Sequence, residues 1–169
     1  MIDIITQSDL ILKSVTSFYT KHPLYFNKLV EIIEKRSNIS ISVIEYFTLT
    51  YAKNNSSMYL KNNGDFFIVY ISYKNFLKSY TKKFTDPFRR KYSKDETDFF
   101  ITLHGVTIQT RLAQLHFFKW AFDNEMIDYI ENNLEKIETS MNASKKVKSK
   151  NTSKPSVVQF PIESQITLL

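Results

Sequence analysis

Along the first third of the chain, apolar residues recur at spacings of three and four, the pattern of helices that bury one face. Ile11, Val15, Phe18 and Tyr19 mark a first helix over Gln7 to Tyr19, and His22-Pro23 ends it. Pro23 suits the first position of a second helix, where a missing N–H costs nothing; Phe26, Leu29, Val30 and Ile33 carry it to Lys35. Ser40 can cap a third helix through Lys53, with Ile44, Phe47 and Tyr51 on the buried face. The β-branched residues of Ile39 to Val43 also admit a short strand, but the helix is preferred.

The period then changes. Met58 to Lys61 and Asp65 to Ile71 read as strands joined by Asn62-Asn63-Gly64, because an Asn-Gly pair supplies the positive φ of a tight hairpin turn. Tyr73, Phe76, Leu77, Tyr80 and Phe84 return to helical spacing until Asp86-Pro87, where proline removes a donor and forces an extended neighbour. Phe99 to Leu103 and Val106 to Gln109 form a second hairpin about His104-Gly105. Thr110 is the expected cap of a helix over Arg111 to Phe122 that is apolar around most of its circumference, and so the expected central element. A last helix follows the Asp123-Asn124 break. It runs to Met141 on Ile127, Ile130, Leu134 and Ile137, with Glu125, Asp128, Glu131, Glu135 and Glu138 outside. The predicted fold is α+β: a mostly helical single domain over residues 1–141 with two short β-hairpins, then a disordered Lys-rich tail at 142–169.

Composition agrees with one packed domain: 169 residues, 43% hydrophobic and 15% aromatic. There is no cysteine, which excludes disulfides, thiolate metal sites and cysteine nucleophiles. With two glycines, both in predicted turns, no phosphate-cradling glycine loop can be built. The N-terminal MIDIITQSDLILKSV has no basic leader, which argues against a secretory signal, and no apolar run nears the roughly 20 residues that cross a bilayer. His22, His104 and His116 stand in unlike contexts, without metal-ligand spacing, and His116 reads as a hydrogen-bonded core residue. No nucleophile elbow or other catalytic signature is present, so no catalytic residue, metal or cofactor is assigned and no enzyme is expected. The one arrangement left open is Asp86 with Arg89 and His104.

Charge changes the picture more than any motif. The net charge is +6, yet Tyr73 to Lys94 alone carries Lys74, Lys78, Lys82, Lys83, Arg89, Arg90, Lys91 and Lys94 against the single acid Asp86. Lys74, Lys78 and Lys82 recur every four residues and predict a stripe beside the buried aromatics; the arginines follow on a proline-ordered loop. Such a row suits a polyanion, because each neutralised phosphate releases counterions and guanidinium forks match phosphate geometry. Lys145, Lys146, Lys148 and Lys150 in the tail add a second basic run, so the rest of the chain is acidic on balance. The last helix is too acidic to enter a major groove, although its pairing with Arg111 to Phe122 mimics a helix-turn-helix. Beyond the lysines, Val157, Val158, Phe160, Ile162 and Leu168 could anchor to a partner.

Three stretches carry a resemblance: EYFTLTYAKNN (Glu45 to Asn55), YKNFLKSYTKKFTDPFRR (Tyr73 to Arg90) and TIQTRLAQLHFFKWAFDNEMIDYIENNLEKIETSMN (Thr107 to Asn142). Together they resemble an uncharacterised protein family of nucleocytoplasmic large DNA viruses, giant viruses of the mimivirus kind. The likeness spans residues 38–141, with the DPF-R and QL-FFKWA words its most specific parts. Where the family pattern has a cysteine after DPF and an asparagine after QL, this chain has Arg89 and His116, which argues against a shared thiol or metal role. The resemblance implies a viral setting and no assigned activity. Combined with the charge, it leads to the expectation of a nucleic-acid-associated or virion protein that binds DNA or RNA nonspecifically, in the host cytoplasm, the viral factory or the virion. The alternative is a protein-interaction or structural virion module. It would use the acidic last helix or the apolar C-terminus, and its basic patch would meet an acidic viral protein. A third reading is a membrane-surface adaptor with Tyr73, Phe76 and Tyr80 beside the lysines.

Overall fold

A computed structural model describes residues 3–88 and 98–152. Helix α1 (Gln7–Lys21) begins at a capping box: the Asp9 amide donates to the Thr6 hydroxyl, and the Thr6 amide donates to the Asp9 carboxylate at 2.9 Å. Helix α2 (Pro23–Ile33) starts on the proline, as expected. Ser40 caps α3 (Ile41–Tyr46), which passes into a π-helical turn (Phe47–Tyr51) and then α4 (Ala52–Asn54), so the helical reading of this region holds over the strand. Both hairpins form, β1 (Met58–Leu60) with β2 (Phe66–Ile68) and β3 (Phe99–Leu103) with β4 (Val106–Thr110), each antiparallel, but the strand expected to reach Ile71 stops at Ile68, and Val69 to Ile71 are helical. Gly64 and Gly105 take φ of 90° and 77°, the conformations their turns demand.

Three helical expectations need correction. The basic segment is α5 (Val69–Ser79) and a separate short α6 (Lys82–Thr85), because Tyr80 and Thr81 are extended. The turn lets Tyr80 reach the His116 ring, 4.6 Å away, and presents the Phe84 carbonyl to His116 Nδ1 at 2.8 Å. Contact with the central helix thus overrides the local periodicity. Thr110 is the last residue of β4 rather than a cap; α7 (Leu112–Asp123) follows Arg111 without a side-chain cap, and Thr110 donates instead to Gln114 at 2.8 Å. The last helix is divided into α8 (Met126–Asn132) and α9 (Leu134–Thr152) at Asn133, whose side chain donates back to the Tyr129 carbonyl.

Helix α9 also runs past Met141, as far as Thr152. Ala143 and the lysines are good helix formers without an intervening glycine or proline, and cations in the last turns suit the negative end of the helix dipole. The tail beyond 152, with Val157, Val158, Phe160, Ile162 and Leu168, lies outside the described residues.

Helix α7 is the hub. Leu115, Phe117, Phe118 and Ala121 are fully or almost fully buried, and the Tyr19 hydroxyl of α1 donates to the Leu115 carbonyl at 2.9 Å. On one side Tyr25 of α2 stacks on Phe122 with ring centres 4.7 Å apart. On the other, Phe76 of α5 stacks on Trp120 at 5.2 Å, and Phe67 of β2 tilts against the same indole. Fully burying each such ring contributes roughly 1.5–3 kcal/mol. The aromatics expected to anchor the basic segment are therefore anchored: Tyr73 and Phe76 are buried, and Leu77, Tyr80 and Phe84 are partly so.

Candidate nucleic-acid interface

With Tyr73 and Phe76 directed into the core, the opposite side of α5 faces outward, and Lys74 and Lys78, one helical turn apart, are exposed on it. Lys82 and Lys83 are exposed too, but on α6, so the expected stripe of Lys74, Lys78 and Lys82 is interrupted by the Tyr80-Thr81 turn. None of these four lysines pairs with a carboxylate among the described residues. Arg89, Arg90, Lys91 and Lys94 lie outside the described residues, and with them the loop expected to present the arginines.

A residue not singled out from the sequence joins the site. Lys53 of α4 and Lys74 of α5 each hold their ammonium 5.5 Å from the centre of the Tyr70 ring. Each contact is of cation–π type, worth roughly 0.5–1 kcal/mol at an exposed position, and the shared ring keeps two like charges together. The only signal in the sequence was that Lys53 falls inside the EYFTLTYAKNN word; its proximity to Tyr70 is made by the packing of α4 on α5. Lys83 lies similarly over Phe84, at 5.8 Å.

The second basic run stands on α9, where Lys145, Lys146, Lys148 and Lys150 are all exposed. Both α5 and α9 pack on the π-helical turn. A groove of about 630 Å³ lies between α9, α3 and that turn, with Lys145 and Lys148 on its wall beside Ser144 and the Glu45 carboxylate on the facing side. Tyr46 fixes this arrangement by sharing its hydroxyl with Ser140 at 2.7 Å and Ser144 at 3.2 Å.

The acidic side is partly engaged within the fold. Lys28 of α2 reaches Glu131 at 2.9 Å and Asp128 at 3.4 Å. Burial lowers the Lys28 pKa, but the Glu131 and Asp128 carboxylates outweigh that effect and hold it above the ordinary value. The Glu125 carboxylate accepts from the Asn62 amide at 2.9 Å, tying the first hairpin's turn to the start of α8.

The histidines do not converge on a ligand. His104 Nε2 is 2.9 Å from the Tyr19 carbonyl oxygen, His22 lies against Phe18 and Tyr25, and His116 is the buried, hydrogen-bonded residue expected. The Asp86 carboxylate accepts from the Phe88 amide at 3.0 Å; Arg89, its suggested neighbour, is outside the described residues. Among the described residues no group of three His, Asp or Glu side chains could hold a metal ion, and no helix is long and apolar enough to cross a membrane.

Comparison with known proteins extends the resemblance beyond residues 38–141. The chain is similar to "Uncharacterized protein L507" of Acanthamoeba polyphaga mimivirus, with 33% identity over 164 residues. That alignment covers 93% of this chain and 63% of the viral protein, so the chain spans less than two thirds of its relative's length. No solved structure matches. Residues 4–166 match a family of unknown function, and with nearly the whole chain inside that match the protein belongs to DUF7197, a family with a giant-virus member.

Proposed function

We propose that this protein binds nucleic acid nonspecifically, through Lys53, Lys74, Lys78, Lys82 and Lys83 on α4, α5 and α6. Arg89, Arg90, Lys91 and Lys94 follow α6 in the sequence, and the α9 lysines add a second basic run. The observation that carries this reading is that the four lysines of α5 and α6 are exposed on helices whose opposite sides are locked into the core, and no described carboxylate neutralises them. Ammonium groups held on a fixed frame track a phosphate backbone without reading bases. The proposal includes no catalytic step, metal or cofactor. Its setting is a viral one, the host cytoplasm, the viral factory or the virion.

The test is duplex DNA binding by fluorescence anisotropy over a range of salt concentrations. If four phosphates are neutralised, log K should fall against log salt with a slope of about −3 to −4. The Lys74→Glu/Lys78→Glu variant, altered only at exposed positions, should bind several-fold more weakly and with a shallower slope. A salt-independent affinity, or a variant that binds like the parent, would refute the reading. A protein-docking role for the acidic helices is less favoured, because Asp128 and Glu131 already pair with Lys28.

A further inference from the structure

The first hairpin is apolar on both faces. In its register Tyr59 opposes Phe67, and this pair turns inward: Tyr59 stacks on Tyr129 at 4.6 Å, and Phe67 packs on Trp120. The alternate pairs, Met58 with Ile68 and Leu60 with Phe66, must then point outward, because side chains alternate along a strand. They do, with exposures from 38% for Ile68 to 74% for Phe66. Strands apolar on both sides are ordinarily covered on both sides. Here one side is covered by the core, whereas on the other Met58, Leu60 and Phe66 are more than half exposed and Ile68 is partly so.

Two further observations indicate what covers it. Ile71, 53% exposed, continues the apolar patch onto α5, and Lys74 and Lys78 follow it at i+3 and i+7 on the same side of that helix. Lys53, which shares the Tyr70 ring with Lys74, adds a third cation near that lysine. The patch itself holds no hydrogen-bonding side chain that would select a protein partner. Five side chains form a patch of the few-hundred-Å² class, short of the roughly 800 Å² per partner of a stable protein interface. An apolar surface without polar groups, edged by lysines and a tyrosine, has the chemistry of a peripheral lipid contact.

We propose that the outer face of the β1–β2 hairpin, with Ile71, docks on an anionic lipid surface. Met58, Leu60, Phe66 and Ile68 enter the boundary between headgroups and acyl chains, and Lys53, Lys74 and Lys78 reach the headgroup phosphates and carboxylates. This differs from the interfacial pattern read in the sequence, whose Tyr73 and Phe76 are buried.

Flotation of the full chain with phosphatidylserine–phosphatidylcholine vesicles tests it, beside the Leu60→Ser/Phe66→Ser variant. The parent should float with the mixed vesicles and much less with phosphatidylcholine alone. The variant's partitioning should fall by about tenfold or more, with unchanged circular dichroism and unchanged affinity for duplex DNA. A parent that stays in solution, or a variant that floats equally, overturns the proposal. So does a variant that keeps its vesicle affinity but loses single-stranded DNA binding, which would make the face a base-stacking platform, or one that dissociates a dimer. Failure here leaves the salt-dependent DNA reading untouched, because that depends on the lysines and not on the hairpin's apolar face.

Discussion

Burial pushes the His116 imidazole below its ordinary pKa, with Lys119 adding to the effect and the Phe84 carbonyl, which accepts from Nδ1, acting against it. The unfolded chain therefore takes up a proton first as pH falls through about 6.5, and the stability contributed by the neutral ring is lost between there and the lowered folded value. In His116→Asn, whose amide can donate to the same carbonyl, the fall in Tm from about pH 7 to about pH 5 should be smaller than in the parent. A calorimetric pH series checks this. Tyr73 gives the opposite case, a buried hydroxyl with no hydrogen-bond partner among the described residues. Removing an unsatisfied polar group is close to neutral or stabilising, so Tyr73→Phe should leave Tm unchanged or raise it in a thermal melt. That Tyr73 and His116 are buried was legible from their place on apolar helix faces. Lys53 was not, because its partner ring at Tyr70 lies on another element.

Asparagine ends three helices in one way. Asn55, Asn124 and Asn133 each return the side-chain amide to the carbonyl four residues back, on Tyr51, Trp120 and Tyr129. The Asp123-Asn124 break was expected. The Asn133 break was not, because Ile130, Leu134 and Ile137 keep helical spacing straight through it. The hairpins were the most legible elements, since Asn63-Gly64 and His104-Gly105 demand backbone geometry that few other pairs supply. Helix α9 shows the reverse: its last turns lack an apolar stripe, yet propensity and charge placement keep them helical. Proline at exposed Lys146 would cost roughly 3 kcal/mol in a helix interior, but only to turns that bury little. Lys146→Pro should thus lose far-ultraviolet ellipticity and amide protection after residue 145 while the global melt stays near the parent's, as hydrogen exchange would show.

Across the whole molecule, stability concentrates on α7, where α2, α5 and β2 meet its aromatic side chains. Phe117→Ala should lower unfolding free energy by about 3–5 kcal/mol in a denaturant titration. The sequence identified this helix as central because its apolar positions encircle it, and it identified the segregation of charge because lysines cluster along the chain. It could not reveal which basic segments approach one another, since that depends on long-range packing. The π-helical turn at Phe47–Tyr51 has one such consequence. It is the common footing of α5 and α9, and Phe47 beneath it is fully buried. Trimming that ring to alanine alters no charge, yet it should loosen both lysine-bearing helices at once. The signature would be weaker DNA binding with an undiminished response to salt: the same phosphates met, by a hand less firmly held.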